Sequence, residues 1–436
     1  MNKLITIGIY ITIFISSYVL FKAPFEGYIS YIVMLFLFPV MLVRYGVPRL
    51  PLLIFLPLLI SGGIYILAGD NNIGSFIKIF IGFFAAVLFY RYVLELYDFD
   101  VNQLFEWYVK GAVIISVIGL IQVLSFRVGF KPGYDFRWIF NKWGLTPGGL
   151  GIRMNSVFSE PAYFAAVIGP AFFCAIHNLF WRTRFWMTKR QAIIIVVAYL
   201  LTFSSLGILA IFLAILLLLL NYGFVRYAII FIPLAYFGFG FVYNNVDEFR
   251  ERYDGTLDVF VDQNIRDYDV HGSSFVLYNN FTVAYENFKR NPIFGTGLGS
   301  QETAFDRYSL TRFADVVQID FNKSDANSMF LRLMSETGLY GIIFIVVFLF
   351  RHHIPRTKSA NDYNWLISNG ILMVVLLYLA RQGHYFINGF PFFLWCYYYI
   401  SKSNKKARAE APQVVETVLL NPNAEKERKP VKHFPG

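Results

Sequence analysis

Apolar runs of bilayer-spanning length follow one another along almost the whole chain, separated by short polar punctuation. A hydrocarbon core of about 30 Å asks for about 17–25 apolar residues per helix. That rule places spans near 4–22, 28–43, 50–68, 74–94, 107–129 and 159–179, then 191–204, 206–220, 224–243, 328–350, 363–380 and 386–401. The stretch 191–220 needs a decision. As one straight helix it would run on the order of 43 Å at about 1.5 Å per residue, too long for the core. Two half-length or tilted helices meeting at the polar turn Thr202-Phe203-Ser204-Ser205-Leu206-Gly207 fit instead. The expected fold is an all-α polytopic membrane protein of about twelve transmembrane helices. A large loop, 244–327, interrupts it, with a surface helix near 246–262 and an amphipathic helix over 274–289. The latter sets Leu277, Phe281, Ala284 and Phe288 on one face.

Charge supports the two-helix choice. Basic residues mark the cytoplasmic side of short loops. Here they form four clusters: Arg44 and Arg49; Arg182, Arg184, Lys189 and Arg190; Arg351, Arg356 and Lys358; and Lys402, Lys405, Lys406 and Arg408. All fall on one side only if the chain turns at 202–207. Both termini are then cytoplasmic, and 130–158, 244–327 and 381–386 face outward. The expected organisation is a transmembrane domain over 1–401, the large loop inserted in it, and a polar tail, 402–436, disordered or loosely helical.

Composition narrows the class. The 436 residues are 57% hydrophobic, 19% aromatic and only 15% charged, too little charge for a soluble surface of this size. The formal charge of +10 does not indicate nucleic acid, because the basic residues sit between apolar runs. Cys174 and Cys396 lie inside apolar segments and form no disulfide framework. Residues 4–22 lack a small-residue cleavage site and read as a first span. No cytoplasmic stretch is long enough for a nucleotide-binding domain, and no phosphate-cradling loop occurs between strand and helix. Both facts argue against an ATP-driven pump and a cytoplasmic nucleotide-sugar transferase.

Polar residues gather where spans meet the outer loops. Arg153-Met154-Asn155-Ser156-Val157-Phe158-Ser159-Glu160-Pro161 stands at the mouth of the sixth span, with proline suited to a first helical position. It reads either as a capped helix start with Arg153 snorkelling, or as a site for a phosphorylated lipid. Phe294-Gly295-Thr296-Gly297-Leu298-Gly299 has the wrong spacing for a dinucleotide fingerprint and reads as a tight turn passing close to a neighbour or a sugar. Asp325-Ala326-Asn327-Ser328 leads into the next span, where Arg332 and Glu336, four apart, are expected to pair with each other. Arg381-Gln382-Gly383-His384 fills the last outer turn, and His384 suits acid–base work near neutral pH. The pairs Asp98/Asp100 and Asp267/Asp269 have the spacing of hard-cation ligands but read as solvated loops, and no zinc spacing occurs. No metal and no cofactor is expected.

Four motifs in order resemble the O-antigen polymerase and O-antigen ligase (Wzy/WaaL) group: Arg153–Pro161, Thr202–Gly207, Asn291–Gly299 and Asn327–Gly341. The resemblance covers roughly residues 107 to 401 and implies a GT-C-like glycosyltransferase fold in the bacterial inner membrane. It also implies an active site facing the periplasm. Ala326 stands where ligases carry histidine, Ser205 where arginine commonly follows the turn, and Leu277 and Tyr278 near a frequent arginine. These departures favour a repeat-unit polymerase over a ligase. An undecaprenyl-diphosphate-linked oligosaccharide is then both donor and acceptor. The bilayer is the setting, a chain-length regulator (co-polymerase) is a candidate partner, and nucleic acid is not.

Breaking a sugar–diphosphate bond leaves growing negative charge, which needs cations, while the attacking hydroxyl needs a base. Arg153 and Arg381 rank first for diphosphate, followed by Arg290 and Arg266. Glu160, then Asp325 and His384, rank as base or orienting group for the acceptor. Asn327, Tyr134 and Trp138 are candidate sugar contacts, and Trp143 joins the aromatics that stack on sugars or form an interface belt. The competing readings are an O-antigen ligase or oligosaccharyltransferase using the same donor, and a flippase for it.

Overall fold

The computed structural model describes residues 2–21, 26–149, 151–223, 228–245, 247–260, 272–311, 321–357 and 363–420. In chain order the helices are α1 (Asn2–Phe14), α2 (Ile29–Tyr45), α3 (Arg49–Leu67), α4 (Ile73–Leu96), α5 (Val101–Arg127) and α6 (Lys131–Tyr134). Then come α7 (Pro161–Phe180), α8 (Lys189–Leu200), α9 (Ser205–Asn221), α10 (Ala228–Asn245) and α11 (Asp247–Phe260). The last are α12 (Gly272–Arg290), α13 (Gln301–Tyr308), α14 (Met329–His352), α15 (Asn364–Arg381) and α16 (Phe390–Leu420). Each apolar run read as a span coincides with a helix. Six of them, α3, α4, α5, α7, α14 and α15, are long and apolar enough to cross a membrane. The protein is an all-α membrane protein. Among the described residues its one sheet is a short antiparallel hairpin of β1 (Val19–Phe21) and β2 (Gly27–Tyr28).

Helix α7 is the axis of the bundle: 78% of its apolar window is buried, against 28% for α3 and α4. It packs against α8, α9 and α15. Between helices in lipid, close packing replaces the hydrophobic drive, and small residues allow it. Gly370 of α15 lies so near α7 that an added Cβ would sit 3.2 Å from Pro170 Cα. Tyrosines reach across as fasteners: Tyr108 donates to Val167 O at 2.6 Å and Tyr199 to Ala165 O at 2.9 Å.

The chain does turn between α8 and α9, with Phe203 at φ +44° and Thr202 Oγ1 donating to Tyr199 O. The loops rich in arginine and lysine then gather at one end of the bundle. Tyr363 packs on Phe185 with ring centroids 3.6 Å apart, the Arg356 guanidinium lies over Tyr222, and Lys405 donates to Arg351 O. Tyr92 donates to Gly46 O beside Arg44, and Phe99 stacks on Tyr399 near Lys402. Lys358 lies outside the described residues.

Three boundaries differ from the sequence reading. The first helix stops at Phe14 rather than near residue 22, because Ser16 and Ser17 turn the chain into the β-hairpin. Ser17 Oγ then donates to Val157 O, tying that turn to the approach to α7. The last helix starts at Phe390 rather than near 386 and runs to Leu420, so residues 402–420 take the helical form of the two that the sequence left open for the tail. On α12 the buried side is broader and more polar than the apolar stripe. Ala284, Leu277 and Phe288 pack with Leu331 and Met334 of α14, while Asn279, Asn280 and Asn287 are buried and Phe281 is 40% exposed.

Candidate functional site

The glycine-rich turn after α12 meets protein backbone, not an open sugar groove. Gly338 takes φ +58° inside α14 and breaks its hydrogen-bond ladder. Buried polar backbone groups near a membrane must find partners. The turn supplies them: Thr296 N donates to Ser335 O, Gly297 N to Glu336 O, Leu339 N to Pro292 O and Tyr340 N to Ile293 O, at 2.8–3.2 Å. A Cβ on Gly338 would lie 2.6 Å from Pro292 O, and one on Gly297 would lie 2.8 Å from Gly62 Cα of α3. Asn71, ahead of α4, donates to Thr296 O and Leu298 O. The two motifs Asn291–Gly299 and Asn327–Gly341 are thus one interlocked unit.

Antiparallel packing of α14 on α15 brings the residues before α14 against those after α15. His384 Nε2 lies 2.9 Å from Asp325 Oδ2. Ser328 Oγ caps Leu331 N and donates to Leu379 O. Asn327 N donates to Asp325 Oδ1 at 3.0 Å, with Ala326 and Asn327 both at positive φ. Burial alone would push the Asp325 carboxyl up. The His384 imidazole and its hydrogen bond, the Asn327 amide and the Arg332 charge outweigh burial and bring it down to about 2.

Glu160 lies within electrostatic reach of this pair. It is the N-cap residue of α7, with Pro161 at the first helical position, yet its side chain makes no capping bond. The helix start is as expected, and any help its carboxylate gives the helix is through the dipole rather than a capping bond. Glu160 retains solvent exposure at the head of α7, with chain packed around it. Burial and the nearby Asp325 charge raise its carboxyl above the usual range, against the pull of Lys142, His384 and Arg153. The two carboxyls are thus shifted in opposite directions, Asp325 down and Glu160 up.

The group is completed by residues the sequence did not single out. Lys142 pairs with Glu26 and Tyr28 Oη from the β-hairpin. Burial pushes the Glu26 carboxyl up, but hydrogen bonds from Lys142 and Tyr28 bring it below its usual value. Tyr163 of α7 faces His384 with centroids 6.3 Å apart. Arg332 and Glu336 pair as expected, at 3.0 Å, and are buried, 3% and 0% exposed. Their burial follows from α15 and the 382–385 turn lying over them, which spacing along one helix does not reveal.

The other candidates are spread more widely. Arg153 Nε donates to Thr202 O at 3.3 Å, so the first two motifs touch, and its charge is felt at Glu160. Arg381 ends α15, three residues before His384. Arg290 instead lies over the Tyr308 ring of α13 at 5.1 Å. Arg266, Asp267 and Asp269 lie outside the described residues. Tyr134 sets its ring edge-on to Phe126, Trp138 donates to Pro132 O while 69% exposed, and buried Trp143 donates to Ser156 O. Tyr134 and Trp143 are thus engaged in packing, while the Trp138 ring stays largely exposed. Asp100 caps α5 by accepting from Gln103 N.

Fold and site together define a helical membrane protein with a group of ionisable side chains, Asp325, His384 and Glu160, at the end of the bundle opposite its basic loops. No protein-family model, curated protein or solved structure matches the chain.

Proposed function

We propose that this protein is a polytopic glycosyltransferase of about twelve spans and GT-C-like class, polymerising lipid-diphosphate-linked oligosaccharide repeats at the outer face of the bacterial inner membrane. The observation that carries this reading is the His384–Asp325 pair at 2.9 Å, with Glu160, Lys142, Arg153 and Arg332 within electrostatic reach of it. Acid–base groups and cations at a membrane boundary are what transfer from a lipid diphosphate requires. The positive-inside rule sets the basic loops in the cytoplasm and these groups outside.

His384 takes the proton of the acceptor hydroxyl, and Asp325 orients the imidazole. Glu160 orients the acceptor sugar. As the anomeric carbon bonds to the acceptor oxygen, its bond to the diphosphate oxygen breaks. The leaving undecaprenyl diphosphate keeps the electron pair and is met by Arg153 and Arg381. No metal is needed in this scheme, since arginines hold the leaving group.

The test is reconstitution in vesicles with the lipid-linked repeat unit as sole substrate, with chelator and without nucleotide. A ladder of lengthening glycans, lost in Arg153→Ala and Arg381→Ala variants that still insert, is the expected result. Ladders from both variants would remove the proposed diphosphate site. Movement of lipid-linked sugar across the membrane with no ladder would make the protein a flippase and void the catalytic roles.

A further inference from the structure

His384 is held through both of its chain neighbours. On one side, Arg332 Nη1 donates to Gly383 O at 2.9 Å. On the other, Tyr385 Oη donates to Glu336 Oε2 at 2.9 Å, and the Arg332 guanidinium lies 4.5 Å from the centre of the Tyr385 ring. Arg332 Nε closes the ring on Glu336 Oε1 at 3.0 Å. Gly383 also presses directly on the Asp325 backbone, where a Cβ would collide with Asp325 O. A shift at Gly383 therefore moves both members of the His384–Asp325 pair. The arrangement calls for a role beyond holding helices together, because buried ion pairs rarely exceed well-packed apolar residues in net stability. Ionised groups inside a span are commonly kept for function.

We propose that Arg332, with Glu336 and Tyr385, is a positioning residue that fixes the backbone on either side of His384 and so orients its imidazole. The proposal rests on the reading of His384 as the base. The arginine fork suits it, since one guanidinium reaches a carboxylate and a carbonyl at once while its face covers an aromatic ring.

The experiment uses the full chain in vesicles and two readouts. The first needs no glycan: carbethoxylation of His384 by diethyl pyrocarbonate at pH 7, followed by peptide mass spectrometry, with His177 and His352 as internal references. Arg332→Gln paired with Glu336→Gln, which removes both charges together, is expected to raise the His384 rate several-fold and leave the references alone. Tyr385→Phe keeps the ring and removes only its hydroxyl, so it serves if the double variant does not insert; it is expected to move the rate in the same direction. Unchanged His384 rates in inserted variants overturn the proposal. The second readout is polymer formation. There kcat is expected to fall on the order of 10²-fold at unchanged half-saturation, as for a base displaced by about 1 Å. Arg332→Lys should fall between, since an ammonium reaches Gly383 O without the fork. A wild type that makes no polymer removes the glycosyl-transfer reading, and the modification rates alone then decide the positioning role.

Discussion

His384 Nε2 stands 2.9 Å from Asp325 Oδ2, and the two reach each other from the adjoining open ends of the α14–α15 hairpin. Neither belongs to a regular element, yet both are fixed: Asp325 by the Asn327 amide, and His384 through Gly383 and Tyr385.

If His384 is the base and Asp325 its orienting group, the two substitutions should have similar consequences. His384→Gln and Asp325→Asn are each expected to lower the polymerisation rate by about 10²–10⁴-fold, with little change in half-saturation. Rates within threefold of wild type in both variants would leave the base elsewhere, with Glu160 the next to examine.

Asp325 also makes a prediction for stability. Its folded value, about 2, lies below the ordinary carboxyl value of 3.8. The stabilising contribution is therefore complete above the ordinary value and is lost as pH falls through about 2. Thermal unfolding in detergent between pH 5 and pH 2 should show a steeper loss for wild type than for Asp325→Asn. Parallel curves would contradict the pairing.

Glu160 carries the opposite sign. Its carboxyl is raised in the folded protein, so its ionised form weakens the fold at pH values above the folded value. Glu160→Gln should then melt higher than wild type at pH 8. The gain should vanish as pH falls below the ordinary carboxyl value of 4.5. A lower melting temperature at pH 8 would mean the carboxylate is structural.

The interlocked turn predicts a different kind of damage. Gly338→Ala would place a methyl against Pro292 O in a backbone conformation that disfavours side chains. It should cost on the order of 2 kcal/mol or more, read as a lower unfolding midpoint and faster proteolysis between α12 and α14. Gly63→Ala, on the adjoining α3 where a Cβ would meet open space, is the matched control and should be near neutral.

Sidedness can be measured independently of activity. Cys174 and Cys396 are buried and should give little background. A cysteine at exposed Ser324 should react with an impermeant maleimide from outside, whereas one at exposed Lys402 should react only after the membrane is opened. Reversed labelling would place the site in the cytoplasm and rule out a lipid-linked donor arriving from outside.

Most of the helices were legible because bilayer thickness imposes one length on every span, and the α8–α9 break was legible because basic loops must share a side. The β-hairpin was not. Val19-Leu20-Phe21 is as apolar as the helix before it, and two serines are a weak stop signal. In the site, Glu160, Asp325 and His384 stood out as polar residues beside apolar runs. Arg332 did not, because an i, i+4 pair has an ordinary reading of its own and only the fold reveals the Gly383 carbonyl above it. Lys142 was hidden for the same reason: its partners Glu26 and Tyr28 lie far away in the chain. Tyr134 and Trp138 attracted notice as aromatics; the Tyr134 ring packs on Phe126 of α5, while the Trp138 ring remains largely exposed.

The latch between the glycine turn and the kink at Gly338 bears on how such a protein can diversify. A loop hinged on free linkers can be replaced by another to suit a new sugar. This one supplies the hydrogen bonds that a broken transmembrane helix lacks, so helix and loop are each incomplete alone. They must be inherited together, and a graft that takes the loop without the segment 335–340 leaves a membrane helix with unsatisfied backbone.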